Sequence, residues 1–166
     1  QVIWAGEANV KTPLSIIYLH GFTASSKEIR PVPDRVAAAL GANLYFTRFT
    51  GHGRQPAAMA EATVGRWMDD VGEAVKIGNQ IGETVIIMAT STGATLAAAA
   101  ALDEAAMENI GGIIFISPNF AINSRAANLL TWPFARQWVP LVIGAEQQGI
   151  ARNDLHARYW TMNYPT

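Results

Sequence analysis

Val85-Ile86-Ile87-Met88-Ala89-Thr90-Ser91-Thr92-Gly93, followed by the alanine run Ala97 to Ala101, is the stretch on which the fold turns. An apolar, β-branched run reads as a buried strand, and the alanine-rich run behind it reads as a helix. Ser91 stands at the turn between them, with Ala89 two residues before it and Gly93 two residues after. This small-x-Ser-x-small spacing is that of a nucleophile elbow, a strand–turn–helix so sharp that the two backbones nearly touch. A side chain larger than a methyl group at either flank would clash, and the serine is expected in a strained conformation with its hydroxyl above the sheet. Alanine occupies the first flank, where glycine is commoner. The competing reading is an ordinary serine or threonine N-cap after a buried strand.

Working outward, Ser15-Ile16-Ile17-Tyr18-Leu19 is a second buried-strand run and ends in His20-Gly21-Phe22-Thr23. A third strand is predicted over Asn43–Phe49, and it ends in the turn Thr50-Gly51-His52-Gly53. The two glycines of that turn are not a dinucleotide fingerprint, because no third glycine follows three residues on. With these three segments in this order, residues 14 to 122 resemble the α/β-hydrolase family. Within it they are similar to the small serine carboxylesterases and monoacylglycerol-lipase-like enzymes, which carry a His-Gly-Phe-Thr loop and a strand ending in Arg-x-x-Gly-His-Gly, here Arg48 to Gly53.

The resemblance implies a mostly parallel sheet with helices on both faces, and an acyl-enzyme formed on Ser91. It implies that the backbone amides of Phe22 and Thr92 form an oxyanion hole, and that Gly21 lets the loop approach the substrate oxygen. His20 and His52 are expected to shape loops rather than to act as the base. No cofactor and no metal are implied.

Composition sets outer bounds. The 166 residues are 50% hydrophobic and 15% charged, enough for one domain with a sizeable core. The net charge of −1, with no basic run, argues against nucleic acid as a partner. There is no cysteine, which excludes disulfides and thiolate metal sites, and the three histidines form no ligand motif. No apolar segment has the ~18 uncharged residues of a membrane span. The N-terminus has no basic-then-apolar leader, so a cytoplasmic location is expected. The chain nevertheless opens on Gln1, so an upstream segment removed or left out remains open.

Strands and helices alternate along the chain, which argues for a mostly parallel sheet covered on both faces. Val2 to Trp4 reads as a short first strand. A helix interrupted near Pro31 and Pro33 is expected over 27–40, with Gly41 as its stop. A second helix is expected over 63–81 on the spacing of Val64, Trp67, Met68, Val71, Val75 and Ile77, with Gly82 ending it. A third is expected to run from Thr92 to Met107. Gly112 to Pro118 reads as a strand buried on both faces.

The character changes after Phe120. Residues 123–166, set apart from a core of 1–122, carry Trp132, Phe134, Trp138, Trp160 and Tyr164. By resemblance they look like the start of a cap. Most of these aromatics are expected to pack the cap on the core, with Trp132 and Trp138 as candidates for contact with the acyl group. Arg136 and the prolines at 133 and 140 argue against a membrane anchor.

In this fold the catalytic triad follows the order Ser, then Asp or Glu, then His. After Ser91 the only histidine is His156, and Asp154 lies two residues before it. Neither could sit at the end of a later strand, so neither is assigned. The expectation is an incomplete α/β-hydrolase fold whose base and acid come from a C-terminal remainder of the polypeptide. Two classes stay open: a serine hydrolase acting on a small carboxylic ester, and a non-catalytic binding relative or inactive fragment. Within the enzyme class, the elbow also serves peptidases and acyltransferases.

Overall fold

The computed structural model describes residues 1–54, 56–121, 128–129, 132–144, 146–148 and 163–165. Five strands form one sheet: β1 (Val2–Ile3), β2 (Thr12–Leu19), β3 (Asn43–Phe46), β4 (Gly82–Thr90) and β5 (Ile110–Ile116). Their order is β1-β3-β2-β4-β5. β1 pairs antiparallel with β3, and the other pairings are parallel. Helices α1 (Val32–Leu40), α2 (Val64–Ile81) and α3 (Thr92–Ala100) make the crossovers. Beyond them lie α4 (Ala135–Ile143) and a small antiparallel pair, β6 (Glu146–Gln148) and β7 (Asn163–Pro165).

The two-residue period of a strand sends neighbouring side chains to opposite faces, and both faces of β2 are covered. Ile17 and Leu19 pack with Val71, Val75, Val85, Ile87, Ala94 and Ala97 under α2 and α3. Ile16 and Tyr18 pack with Ala37, Leu44, Phe46 and Met88 under α1. A continuous apolar run is the sequence signature of such a doubly covered strand.

Asn43, fully buried, ties three elements together. Its Nδ2 donates to the carbonyls of Val10 and Ile81, both at 2.8 Å, and its Oδ1 accepts the Ala5 amide at 2.9 Å. Thr63 caps α2, its hydroxyl accepting the Arg66 amide at 3.2 Å. Thr63→Ala is expected to cost about 1 kcal/mol, read as a lowered melting temperature. A change within experimental error would mean that the cap contributes nothing.

Four expectations need correction. The third strand ends at Phe46 rather than Phe49, whose amide is taken by His20 Nε2 and not by a sheet partner. The first helix starts only at Val32, because the prolines at 31 and 33 deny it amide donors and residues 27–31 are turns. Gly41 does end it, in the left-handed conformation at φ 60°. The third helix stops at Ala100, and a short 3-10 turn at Ala105–Met107 follows; Asp103 accepts the Ala105 amide between them. The strand expected to be buried on both faces is an outer strand among the described residues, with Ile114 and Phe115 each more than 40% exposed.

Candidate active site

The chain leaves β2 for β3 on one side, while β4 and β5 extend the sheet on the other. The order therefore reverses between β2 and β4. In an open α/β sheet the crevice at the carboxyl ends of such a pair is where ligands bind. The two segments that meet there are His20-Gly21-Phe22 after β2 and Ser91-Thr92 after β4.

Ser91 has φ 50° and ψ −117°, a region that side chains other than glycine rarely occupy. Its surroundings hold it there. Its N–H donates to the Ile116 carbonyl at 3.0 Å, and its own carbonyl accepts the amides of Ala94, Thr95 and Asn119 at 3.1–3.2 Å. The side chain makes no capping hydrogen bond, which separates this turn from an ordinary serine N-cap. Thr92 is the first residue of α3, where an amide has no intrahelical carbonyl to meet.

Close contact between the two segments depends on glycine. A β-carbon built on Gly93 would lie 2.5 Å from the carbonyl oxygens of both Leu19 and His20. One built on Gly21 would lie 3.2 Å from the Ser91 β-carbon and 3.3 Å from a carboxyl oxygen of Glu28. The loop after β2 thus rests directly on the serine turn.

Two buried histidines shape that loop. His20 Nε2 accepts the Phe49 amide at 3.2 Å, and His52 Nε2 accepts the Thr23 amide at 3.0 Å. An amide can only donate, so each ring is neutral with its proton on Nδ1. His20 Nδ1 then donates to the Gly21 carbonyl at 2.9 Å, and His52 Nδ1 faces the Thr50 carbonyl at 3.3 Å. The Ala24 amide also donates to the Gly21 carbonyl, at 3.2 Å. In a planar trans peptide the N–H points opposite to the C=O, so pinning the Gly21 carbonyl sets the direction of the Phe22 N–H. Around these rings pack Phe22, Phe49 and Trp67, and the Trp67 indole donates to Thr50. Asp70 accepts both the amide and the hydroxyl of Thr50.

Burial pushes His20 down to about 4, opposed by its bond to the Gly21 carbonyl and helped by His52. Burial also lowers His52, opposed by the carbonyls of Thr50 and Phe49 and by Asp70. Above the unfolded value near 6.5 both states carry neutral imidazole, and the His20 contribution is fully present. As pH falls below that value the unfolded chain takes up a proton that the folded chain refuses. Stability is therefore lost between about pH 6.5 and 4, to a total of about 3 kcal/mol for His20. Denaturant titrations at stepped pH, with NMR of the ring protons, check this. A His20 ring titrating near 6.5 in the folded protein would overturn it.

Sequence reasoning missed Glu28 altogether. Its Oε2 accepts the Gly21 amide at 3.2 Å and lies 3.3 Å from the hydroxyl of buried Tyr18, which in turn is 3.0 Å from the Thr90 hydroxyl. Burial raises the carboxyl above its usual range, while the bonds from Gly21 and Tyr18 oppose the rise. No motif spacing marks such a residue.

Of the expected site residues, Gly21 and Ser91 approach each other directly, and Phe22 and Thr92 follow them in the chain. Trp132 is exposed, and the Trp138 indole donates to the Pro133 carbonyl at 3.3 Å; no described hydrogen bond or ring contact links either to Ser91. Asp154 and His156 lie outside the described residues. Among the described residues no cluster of His, Asp or Glu could hold a metal, and no helix is long and apolar enough to cross a membrane.

Residues 11–159 match the family described as serine aminopeptidase, S33. Over 84 residues the chain is 30% identical to the thermostable monoacylglycerol lipase of Bacillus sp. (strain H-257), a stretch that is 51% of this chain and 33% of that protein. Among solved structures, one of the metagenome-derived lipolytic enzymes LipS and LipT superposes on 99% of this chain at TM-score 0.70 and 24% identity. Est1E from Butyrivibrio proteoclasticus, solved with ferulic acid, covers the same share at TM-score 0.65 and 20% identity. The chain spans a third of that lipase and 62% of each of these two solved chains.

Proposed function

This chain belongs to the serine aminopeptidase S33 family of α/β-hydrolases, and on that footing we propose that it carries the nucleophile and oxyanion hole of a serine carboxylic-ester hydrolase. One observation carries the reading: Ser91 is held at positive φ on the β4–α3 turn, at the switch point of the sheet and against the Gly21 loop. Strain kept in place by four backbone hydrogen bonds is a feature of functional sites. In this mechanism the Ser91 hydroxyl attacks the ester carbonyl while a histidine base takes its proton. The amides of Phe22 and Thr92 receive the developing oxyanion, aided by the N-terminal dipole of α3. The protonated histidine then hands its proton to the leaving alcohol, and water hydrolyses the acyl-enzyme.

We assign base and acid to polypeptide beyond these residues. Two facts support this: the chain spans only part of its relatives, and the outer strand β5, past a register shift at Gly111, has no charge or proline from Gly112 to Ile116 to blunt it. Further strands would cover Ile114 and Phe115. We read residues 123–166 as a cap; among the described ones, α4 exposes Leu141, Val142 and Ile143, and Trp132 and Trp138 stay candidates for acyl contact. An intact mass equal to the 17.9 kDa of these residues, in a monomer that hydrolyses esters, would refute the external base and make His156 the residue to test.

A fluorophosphonate probe tests the nucleophile directly. It should label Ser91 in the intact polypeptide carrying these residues, and labelling at another serine would sink the assignment. The S33 description favours a second reading, an aminopeptidase working through the same serine. Turnover of amino-acid p-nitroanilides at the expense of p-nitrophenyl esters would select it.

A further inference from the structure

We propose that Glu28 is a positioning residue of the Ser91 site, anchoring the loop that follows β2 to the Tyr18 hydroxyl of β2, which in turn meets Thr90 at the end of β4. The proposal rests on Ser91 as nucleophile and concerns how its surroundings are held. Glu28 lies in the turn between β2 and α1, on neither of the segments that meet at the crevice. Its Oε2 accepts the Gly21 amide on one side and meets the Tyr18 hydroxyl on the other.

The Tyr18 hydroxyl has one proton and two neighbours. Facing a carboxylate, it donates to Glu28 and accepts from the Thr90 hydroxyl, giving a chain Thr90 to Tyr18 to Glu28 closed by Gly21. The two ends of that chain are the residues next to Ser91 and Phe22. Thr90 precedes the proposed nucleophile, and Gly21 precedes the proposed oxyanion donor. The Ser91 β-carbon and the Glu28 carboxyl both lie within 3.3 Å of the point where a β-carbon on Gly21 would stand. Carboxyl, loop and serine turn therefore converge on one spot.

A half-buried carboxyl is an expensive way to fill space, since desolvation disfavours its charge. Among the described residues no ion pair includes it; the nearby Arg30 is engaged by Asp34 and by the Phe46 ring. What Glu28 supplies is one acceptor that two separate elements share. Without it the Gly21 amide and the Tyr18 hydroxyl lose their common anchor. The loop can then shift against the serine by a fraction of an ångström, a displacement to which acyl transfer is sensitive.

The test uses the intact polypeptide with a p-nitrophenyl ester, counting active sites by fluorophosphonate titration so that unfolded molecules drop out. Glu28→Ala, or Glu28→Leu should the smaller side chain leave the chain unfolded, should lower kcat per titrated site roughly ten- to a hundredfold while KM moves little. Glu28→Gln keeps, in its amide oxygen, an acceptor that the Gly21 amide and the Tyr18 hydroxyl can share, and should recover most of the rate. Turnover per titrated site at the wild-type rate in Glu28→Ala or Glu28→Leu overturns the proposal, as does a Glu28→Gln no better than the apolar variant. A wild-type protein that takes no label at Ser91 would instead overturn the nucleophile reading on which this rests.

Discussion

Ser91→Ala is expected to abolish ester turnover in the intact polypeptide, lowering kcat by on the order of 10⁵-fold or more. The hydroxyl is the attacking atom, so its removal leaves only what substrate binding and the oxyanion donors can do. Fluorophosphonate labelling should disappear with it. Ser91→Gly should be equally inactive yet more stable, by about 1 kcal/mol, because glycine accepts φ 50° without the steric cost that serine bears there. Thermal melts of the two variants beside the wild type read both effects. An active Ser91→Ala enzyme removes the mechanism, and a Ser91→Gly variant less stable than wild type removes the strain argument.

Gly93→Ala should be among the most damaging single methyl groups in the core. The new β-carbon would sit 2.5 Å from two backbone oxygens, at Leu19 and His20, and 2.8 Å from the Leu19 carbonyl carbon. A clash with a flexible side chain could relax, but these atoms end a central strand that is paired on both sides. Either α3 lifts from the sheet or the end of β2 moves, and we expect a loss of roughly 3 kcal/mol or more. For a chain of this size that is a fall in melting temperature of about 6–12 °C. Because the Gly21 loop rests on the same backbone, the surviving folded fraction should also turn over slowly. A melting point within about 2 °C of wild type would show that the helix and strand are not as close as described.

What could be read from the residues in order was whatever is dictated locally. The apolar runs ending at Leu19 and Thr90 announced central strands, since a strand covered on both faces needs an unbroken apolar run, and Asn43–Phe49 announced β3, which stops at Phe46. Ala89 and Gly93 around Ser91 announced the sharp turn, since steric exclusion there acts between near neighbours in sequence. Helix ends were less legible. The alanines after Ser91 give helical propensity with no stop signal, so the helix was read past Ala100; the prolines at 31 and 33 were seen, but not that they delay the first helix to Val32.

The rest was decided only when distant segments met. His20 and His52 each accept an amide 29 residues away, each from the loop that the other histidine occupies, which no spacing rule encodes. Glu28 was brought beside the Gly21 loop by Tyr18, whose hydroxyl it meets and which in turn meets Thr90 on the neighbouring strand. The exposure of β5 likewise depends on which strand lies beside it and not on its own residues. Local sterics and burial periodicity are written in neighbouring residues, whereas hydrogen-bond partners and edge positions are properties of the assembled sheet.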